Sequence, residues 1–344
     1  RDVDAAQHAG EFLDTVCFRE AYHCAVRAAA GDCLADLEMM VALRRHLHAH
    51  PELAFAETRT AAIVAAWLTR CGYDVTTGVG GTGVVGVLSN GTGPTALLRA
   101  DMDGLPVKEE VDVPFASKAR GHWNGEEVSV MHACGHDCHV AILMGVAQVL
   151  AGLRAQLRGS VKFIFQPAEE GGGGAREMIA DGLFEKFPME AVFGMHNWPG
   201  LPAGTFAASP GAVMASASTF KILIHGRGGH AALPHLGIDP VLVACQTVLA
   251  LQTIISRNLK PIEAAVLSVT MLHAGEATGV MPDNCTIEGT VRTVSVAALD
   301  LIEPGLKRIA THTAAAMGAT CEVEFLRRAP PVVNTAYEAD FAAA

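Results

Sequence analysis

Residues 131–139 read Met-His-Ala-Cys-Gly-His-Asp-Cys-His, a run of nine that holds three histidines, two cysteines and an aspartate. These are ligand types for a borderline-soft divalent metal. Cys134 and His136 stand two apart, so in an extended segment both side chains leave on one side and one ion could take thiolate and imidazole together. Two more stretches add donors: Glu169-Glu170 within Phe165–Gly171, and His196 in Met195-His196-Asn197-Trp198-Pro199. Adjacent carboxylates are costly to bury without compensating charge. Near metals, Glu170 could ligate while Glu169, pointing elsewhere, accepts a proton from water, the division of labour that metal-assisted hydrolysis requires.

Plainer readings compete. Cys134-x-x-x-Cys138 could start a closed structural zinc site, which needs two further ligands to close it. Cysteine and histidine could simply pack in a core, and Cys134 could instead be a nucleophile. The glutamate pair could be a solvated acidic turn, favoured by the dipole of a following helix. His196 alone could be an ordinary histidine. Gly78–Gly83 matches G-x-G-x-x-G, but a dinucleotide loop must lead into a helix. Here the strand-like Val84–Leu88 follows and ends at Asn90-Gly91, which predicts a hairpin.

The elements that must position these residues alternate between helix and strand. Helical periodicity starts at Leu37, pauses at His50-Pro51-Glu52, and resumes from about Glu57 to Cys71, with Gly72 after the helix end. Strand 95–100 runs into Asp101 and Asp103, carboxylates at the strand end where open α/β sheets place their chemistry. A helix from about His139 to Leu157, strand 160–166, a helix after the glycines at 171–174, and strand 190–195 continue the alternation. Strand 218–225, helix 239–257, strands 263–272 and 284–294, helix 298–317 and strand 319–326 then spell β-α-β-β-α-β, a ferredoxin-like order. The expectation is an α/β protein of two domains: a catalytic domain over 36–212, an inserted β-α-β-β-α-β domain over 213–328, and a return begun but incomplete at 329–344. Residues 1–35 carry His8, Cys17, His23, Cys24 and Cys33 at spacings that fit no common zinc pattern, so an extension without an assigned role is expected there rather than a metal-binding arm.

With 344 residues, half of them hydrophobic, the chain can bury a large core. A net charge of −11 argues against a nucleic-acid or acidic-membrane partner. Mean hydropathy is +0.30, yet no run of about 18 apolar residues suggests a membrane span. Nine cysteines, an odd number in no paired framework, together with the lack of a leading signal segment, predict free thiols in the cytoplasm.

Six ordered motifs carry a resemblance: LHAHPEL at 47–53, RADMDGLP at 99–106, MHACGHD at 131–137, FQPAEEGGGGA at 165–175, MHNWPG at 195–200 and GRGGHAALPH at 226–235. Over roughly 37–341 the chain resembles the metal-dependent aminoacylase/hippurate-hydrolase/carboxypeptidase amidohydrolases, in particular the N-acyl-amino-acid branch. The resemblance implies a di-metal exopeptidase-like catalytic domain and a dimerisation domain at 213–328 that makes a homodimer. It implies two divalent ions (Zn, Mn, Co or Ni) held by Cys134, His136, Glu170 and His196, with Glu169 as general base and Asp103 as a carboxylate that orients a ligand. His230 would steady the oxyanion, often across the dimer, and Arg292 would hold the substrate carboxylate, a task suited to a planar bidentate cation. The implied substrate is a small-molecule N-acyl amino acid of the hippurate kind, cleaved to a carboxylic acid and an amino acid.

The chain departs from the family pattern twice. The family's N-V-I-P-D reads Gly279-Val280-Met281-Pro282-Asp283, which removes a polar substrate contact. The family also supplies one more ligand histidine near its C-terminus, and none follows Phe341, so four ligands of five, a weak second metal and low activity are expected. A dipeptidase or exopeptidase on the same scaffold, and a non-catalytic dimerising remnant, are the rival functions.

Overall fold

The structure, a computed structural model, describes residues 33–344. The ligand candidates of the expected extension, His8, Cys17, His23 and Cys24, lie outside the described residues. Two compact units divide the chain, the first ending at Pro202 and the second spanning Ala203–Ala344.

The first unit comprises α1 (Cys33–Ala49), α2 (Thr58–Arg70), β1 (Asp74–Val79), β2 (Gly83–Asn90), β3 (Thr95–Asp101), the hairpin β4 (Arg120–Trp123) and β5 (Glu126–Ser129), α3 (His136–Gly152), β6 (Gly159–Gln166), α4 (Gly174–Ala180), α5 (Leu183–Lys186) and β7 (Ala191–Gly194). Its sheet has the order β1-β2-β6-β3-β7. β1, β2 and β6 pair antiparallel, and β3 runs parallel to both β6 and β7. Helices cover both faces, which is why β6 is buried along nearly its whole length rather than at alternate residues. Phe163 and Phe165 pack with Leu47, Val64, Leu68, Val140 and Met144 of α1, α2 and α3. Ile164 points the other way, to Met178 and Leu183 of α4 and α5. The glycine-rich stretch at 78–83 is the expected hairpin, with Thr77 opposite Val84.

Local chemistry sets the helix starts. Glu52, in the expected pause after α1, accepts the N–H groups of Arg59 (2.9 Å) and Thr60 (2.8 Å) and so caps α2 from outside it. α3 begins at His136, three residues before the expected start, because Gly135 takes a left-handed φ of 84° and its carbonyl already accepts from Cys138 and His139.

In the second unit, β8 (Gly211–Met214) pairs with β15 (Val332–Asn334), and β10 (Gly229–His230) with β12 (Val280–Met281). The main sheet is β9 (Ala217–His225), β11 (Ala265–His273), β13 (Asn284–Thr293) and β14 (Thr320–Ala329), antiparallel in the order β11-β13-β9-β14. The helices α6 (Pro240–Thr253) and α7 (Val296–Ala316) pack on one face of it, and α8 (Ala336–Ala343) closes the chain. This is the ferredoxin-like arrangement. Strand alternation makes the inner face: Phe220, Ile222 and Ile224 of β9 and Cys285, Ile287 and Val291 of β13 are buried against Val243, Leu251, Ile302 and Leu306. By length and composition alone Pro240–Asn258 could cross a membrane (mean hydropathy 1.3), but Val243, Leu251 and Ile254 are buried in this core.

Candidate metal centre

Three parallel strands, β6, β3 and β7, end at the same edge of the first sheet. Asp101 closes β3 opposite Gln166, so the loop after β6, which carries Glu169-Glu170, lies on one side of it. Arg99 pairs with Gly194, which brings His196 after β7 to the other side. α3 adds its first turn, whose His139 meets Asp101 at the end of β3. The crevice beyond the carboxyl ends of strands that diverge in this way is the usual ligand position in open α/β sheets.

Within that crevice, Cys134 Sγ is 3.4 Å from His196 Nε2. His136 Nε2 lies 3.8 Å from Glu170 Oε1 and 4.0 Å from Glu169 Oε2, and His136 Nδ1 is 3.3 Å from Asp103 Oδ1. Cys134, His136 and His196 present donor atoms within 4.8 Å of one another, and so do His136, Glu169 and Glu170. The Cys134–His136 pair is not an extended segment, contrary to the sequence expectation. Gly135 between them is left-handed, and a Cβ there would lie 2.5 Å from the Asn197 side chain.

The donor set fits a pair of divalent cations. His136 Nε2 and Glu170 Oε1 are buried without hydrogen-bond partners, an expensive state unless something positive takes their lone pairs. Burial disfavours charge on His136, yet contacts with Asp103 and Cys134 and the Asp101 charge outweigh it and push its pKa up to about 11. The crevice therefore favours positive charge at this position. Burial also raises the Glu169 pKa, with the Glu170 and Asp101 charges adding to it, so Glu169 has a heightened affinity for a proton.

The loop bearing the two glutamates is tied down by its main chain. Asp103, buried, accepts the N–H of Glu169 at 3.0 Å through Oδ1 and of Glu170 at 2.9 Å through Oδ2. Two participants escaped the sequence reading. His139, one helical turn after His136, is buried, shares a 2.6 Å hydrogen bond with Asp101 through Nδ1, and accepts the Asn197 N–H at 3.0 Å through Nε2. Burial opposes ionisation of Asp101, but the His139 hydrogen bond and the Arg99 guanidinium hold its carboxyl well below the usual carboxylate range. The His136-x-x-His139 spacing on a helix was the available signal. The other participant is the fully buried Glu57, which accepts the Ala168 N–H.

His230 and Arg292 belong to the second unit, whereas the metal-ligand candidates all belong to the first. His230 is exposed on β10 and accepts the Ala232 N–H at 3.1 Å. Arg292 is exposed on β13 and donates to Thr290 Oγ1 and, at 3.1 Å, to the Val291 carbonyl.

Residues 97–344 match the model of peptidase family M20/M25/M40. The N-acetylcysteine deacetylase of Bacillus subtilis is 40% identical over 301 residues, covering 86% of this chain and 76% of that protein. The hippurate hydrolase of Campylobacter jejuni is 40% identical over 301 residues, covering 87% and 76%. The crystal structure of the Bacillus subtilis YXEP protein, a dinuclear metal-binding peptidase of the M20 family, aligns with a TM-score of 0.75 at 36% identity, covering 89% of this chain and 78% of that one. With its carboxylates, histidines and thiol drawn to one crevice, this chain belongs to the peptidase family M20/M25/M40, as a hydrolase of amide bonds with a donor set that fits divalent metal ions.

Proposed function

We propose that the protein hydrolyses N-acyl amino acids of the hippurate kind, releasing a carboxylic acid and an amino acid. The observation that carries this reading is the carboxylate pair beside the thiol–imidazole cluster: Glu169 and Glu170 both approach His136 within 4.0 Å, and Cys134 and His196 meet 3.4 Å apart. Relatives named for N-acetylcysteine deacetylation and hippurate hydrolysis support the substrate class; a Saccharolobus solfataricus relative named thermostable carboxypeptidase 2, also 40% identical, keeps the exopeptidase reading as the rival.

Cys134, His136, Glu170 and His196 are the residues we assign to metal binding. Divalent ions there would polarise the scissile carbonyl and acidify water. Glu169 then takes the proton from the attacking water and returns it to the departing amine nitrogen, for which its raised proton affinity suits it. Asp103 keeps both glutamates aimed by holding their N–H groups. His230 and Arg292 are assigned to the oxyanion and to the substrate carboxylate.

We further propose a homodimer formed through the ferredoxin-like unit, within 213–328. β11 is an edge strand with Val266, Met271 and Leu272 exposed, a template for pairing with a second copy. Six cysteines among the described residues are free, which suits a reducing compartment, and we place the enzyme in the cytoplasm. The deciding experiment measures metal content and assays blocked amino acids against free dipeptides. Turnover of dipeptides alone, or turnover that survives full chelation, would overturn the assignment.

A further inference from the structure

We infer that Glu57 is a positioning residue for the catalytic carboxylate pair, acting through the main chain of Ala168. The inference rests on the roles given above to Glu169 and Glu170. Glu57 stands at the N-cap position just before α2, and its side chain makes no cap hydrogen bond. Glu52 performs that task. The Glu57 carboxylate turns inward instead and is fully buried. Oε1 accepts the Ala168 N–H at 2.8 Å, and Oε2 accepts the Thr82 hydroxyl at 2.5 Å.

Ala168 needs such an anchor. Its φ of 50° is left-handed, a conformation that an L-residue with a Cβ adopts only when its surroundings impose it. It immediately precedes Glu169. Three successive amides, those of Ala168, Glu169 and Glu170, thus donate to two buried carboxylates, Glu57 and Asp103. With these three N–H groups held, the main chain from which the Glu169 and Glu170 side chains leave is anchored. Phe55 completes the brace. It too has a left-handed φ (62°), and a Cβ at Gly81 or Gly172 would lie only 3.3 or 3.2 Å from its ring. The ring therefore lies against the hairpin turn at one edge and the glutamate loop at the other.

A residue that acts through another's geometry is tested by separating binding, turnover and folding. Zinc affinity is measured by competition with a chromophoric chelator, and turnover with hippurate. Glu57→Ala should weaken one of the two zinc sites about 10-fold or more and lower kcat about 10- to 100-fold, with KM changed less than about 3-fold. Glu57→Gln keeps an acceptor for Ala168 and a partner for Thr82, so it should stay within about 3-fold of wild type in both measurements. A folded Glu57→Ala protein with wild-type zinc affinity and kcat overturns the inference, as does an equal loss in the Gln and Ala variants. Should Glu57→Ala not fold, Thr82→Val removes only the outer anchor and should lower zinc affinity and kcat several-fold; a wild-type result there is equally fatal. Wild-type protein that binds no zinc would instead overturn the assignment of Glu170 on which the inference stands.

Discussion

His139 Nε2 accepts the main-chain N–H of Asn197 at 3.0 Å, while Nδ1 faces the Asp101 carboxylate at 2.6 Å. Asp101 requires the proton on Nδ1, which leaves Nε2 as the acceptor, so the tautomer follows from the partners. The result is a buried link from β3 through α3 to the loop of His196. His139→Ala should release that loop, weaken metal binding about 10- to 100-fold and lower kcat accordingly. Chelator competition on the purified variant checks this; unaltered affinity would mean that the His196 loop needs no clamp.

Glu169 is 41% exposed at its side chain and sits beside the donor cluster, whereas the neighbouring Glu170 is less exposed and has a buried oxygen without a partner. Glu169→Gln is therefore expected to keep its metal and lose about 100- to 10,000-fold in kcat, the usual range for a missing general base. Parallel metal analysis and steady-state kinetics decide it. Normal hydrolysis of hippurate by the variant would remove Glu169 from the mechanism.

Gly135 separates two ligand candidates with a φ of 84°, and a Cβ there would press on the Asn197 side chain at 2.5 Å. Gly135→Ala should cost about 1–2 kcal/mol from the left-handed backbone alone, with steric displacement of Asn197 in addition. A lowered thermal midpoint together with reduced metal content is the expected outcome. A variant matching wild type in both would show that the turn can rearrange freely.

His48 lies between two carboxylates, with Nδ1 2.8 Å from Asp137 and Nε2 3.0 Å from Glu109. Both contacts are satisfied only by the doubly protonated ring. The Asp137 hydrogen bond raises its pKa above 6.5 against the opposing effect of burial, with Glu109 assisting. Such a raised pKa adds stability that is complete below the unfolded value of 6.5 and is lost as pH climbs through the folded one. The difference in thermal midpoint between wild type and His48→Gln should therefore be largest near pH 6, and shrink steadily on the alkaline side. A gap independent of pH from 6 to 9 would show that the charged ring contributes nothing.

Residue chemistry was readable directly from the chain. Thiol, imidazole and carboxylate groups carry their metal-binding and proton-accepting capacity in the side chain itself, so the sequence marked Cys134, His136, Glu169, Glu170 and His196 as candidates, and the resemblance carried by the six motifs implied their roles. Strand periodicity and glycine placement likewise exposed the β1–β2 hairpin as no nucleotide loop and the second unit as ferredoxin-like. Only the folded chain decided how those groups are aimed. A left-handed turn at Gly135, rather than an extended strand, brings Cys134 and His136 into position, and α3 starts at His136 because of that turn. Asp103 and Glu57 reach the glutamate loop across separations of 66 and 111 residues, and His139 reaches Asn197 across 58. Hydrogen bonds between distant segments leave no periodicity or spacing for a local pattern to register, because which segments meet is set by sheet order and burial in the folded chain.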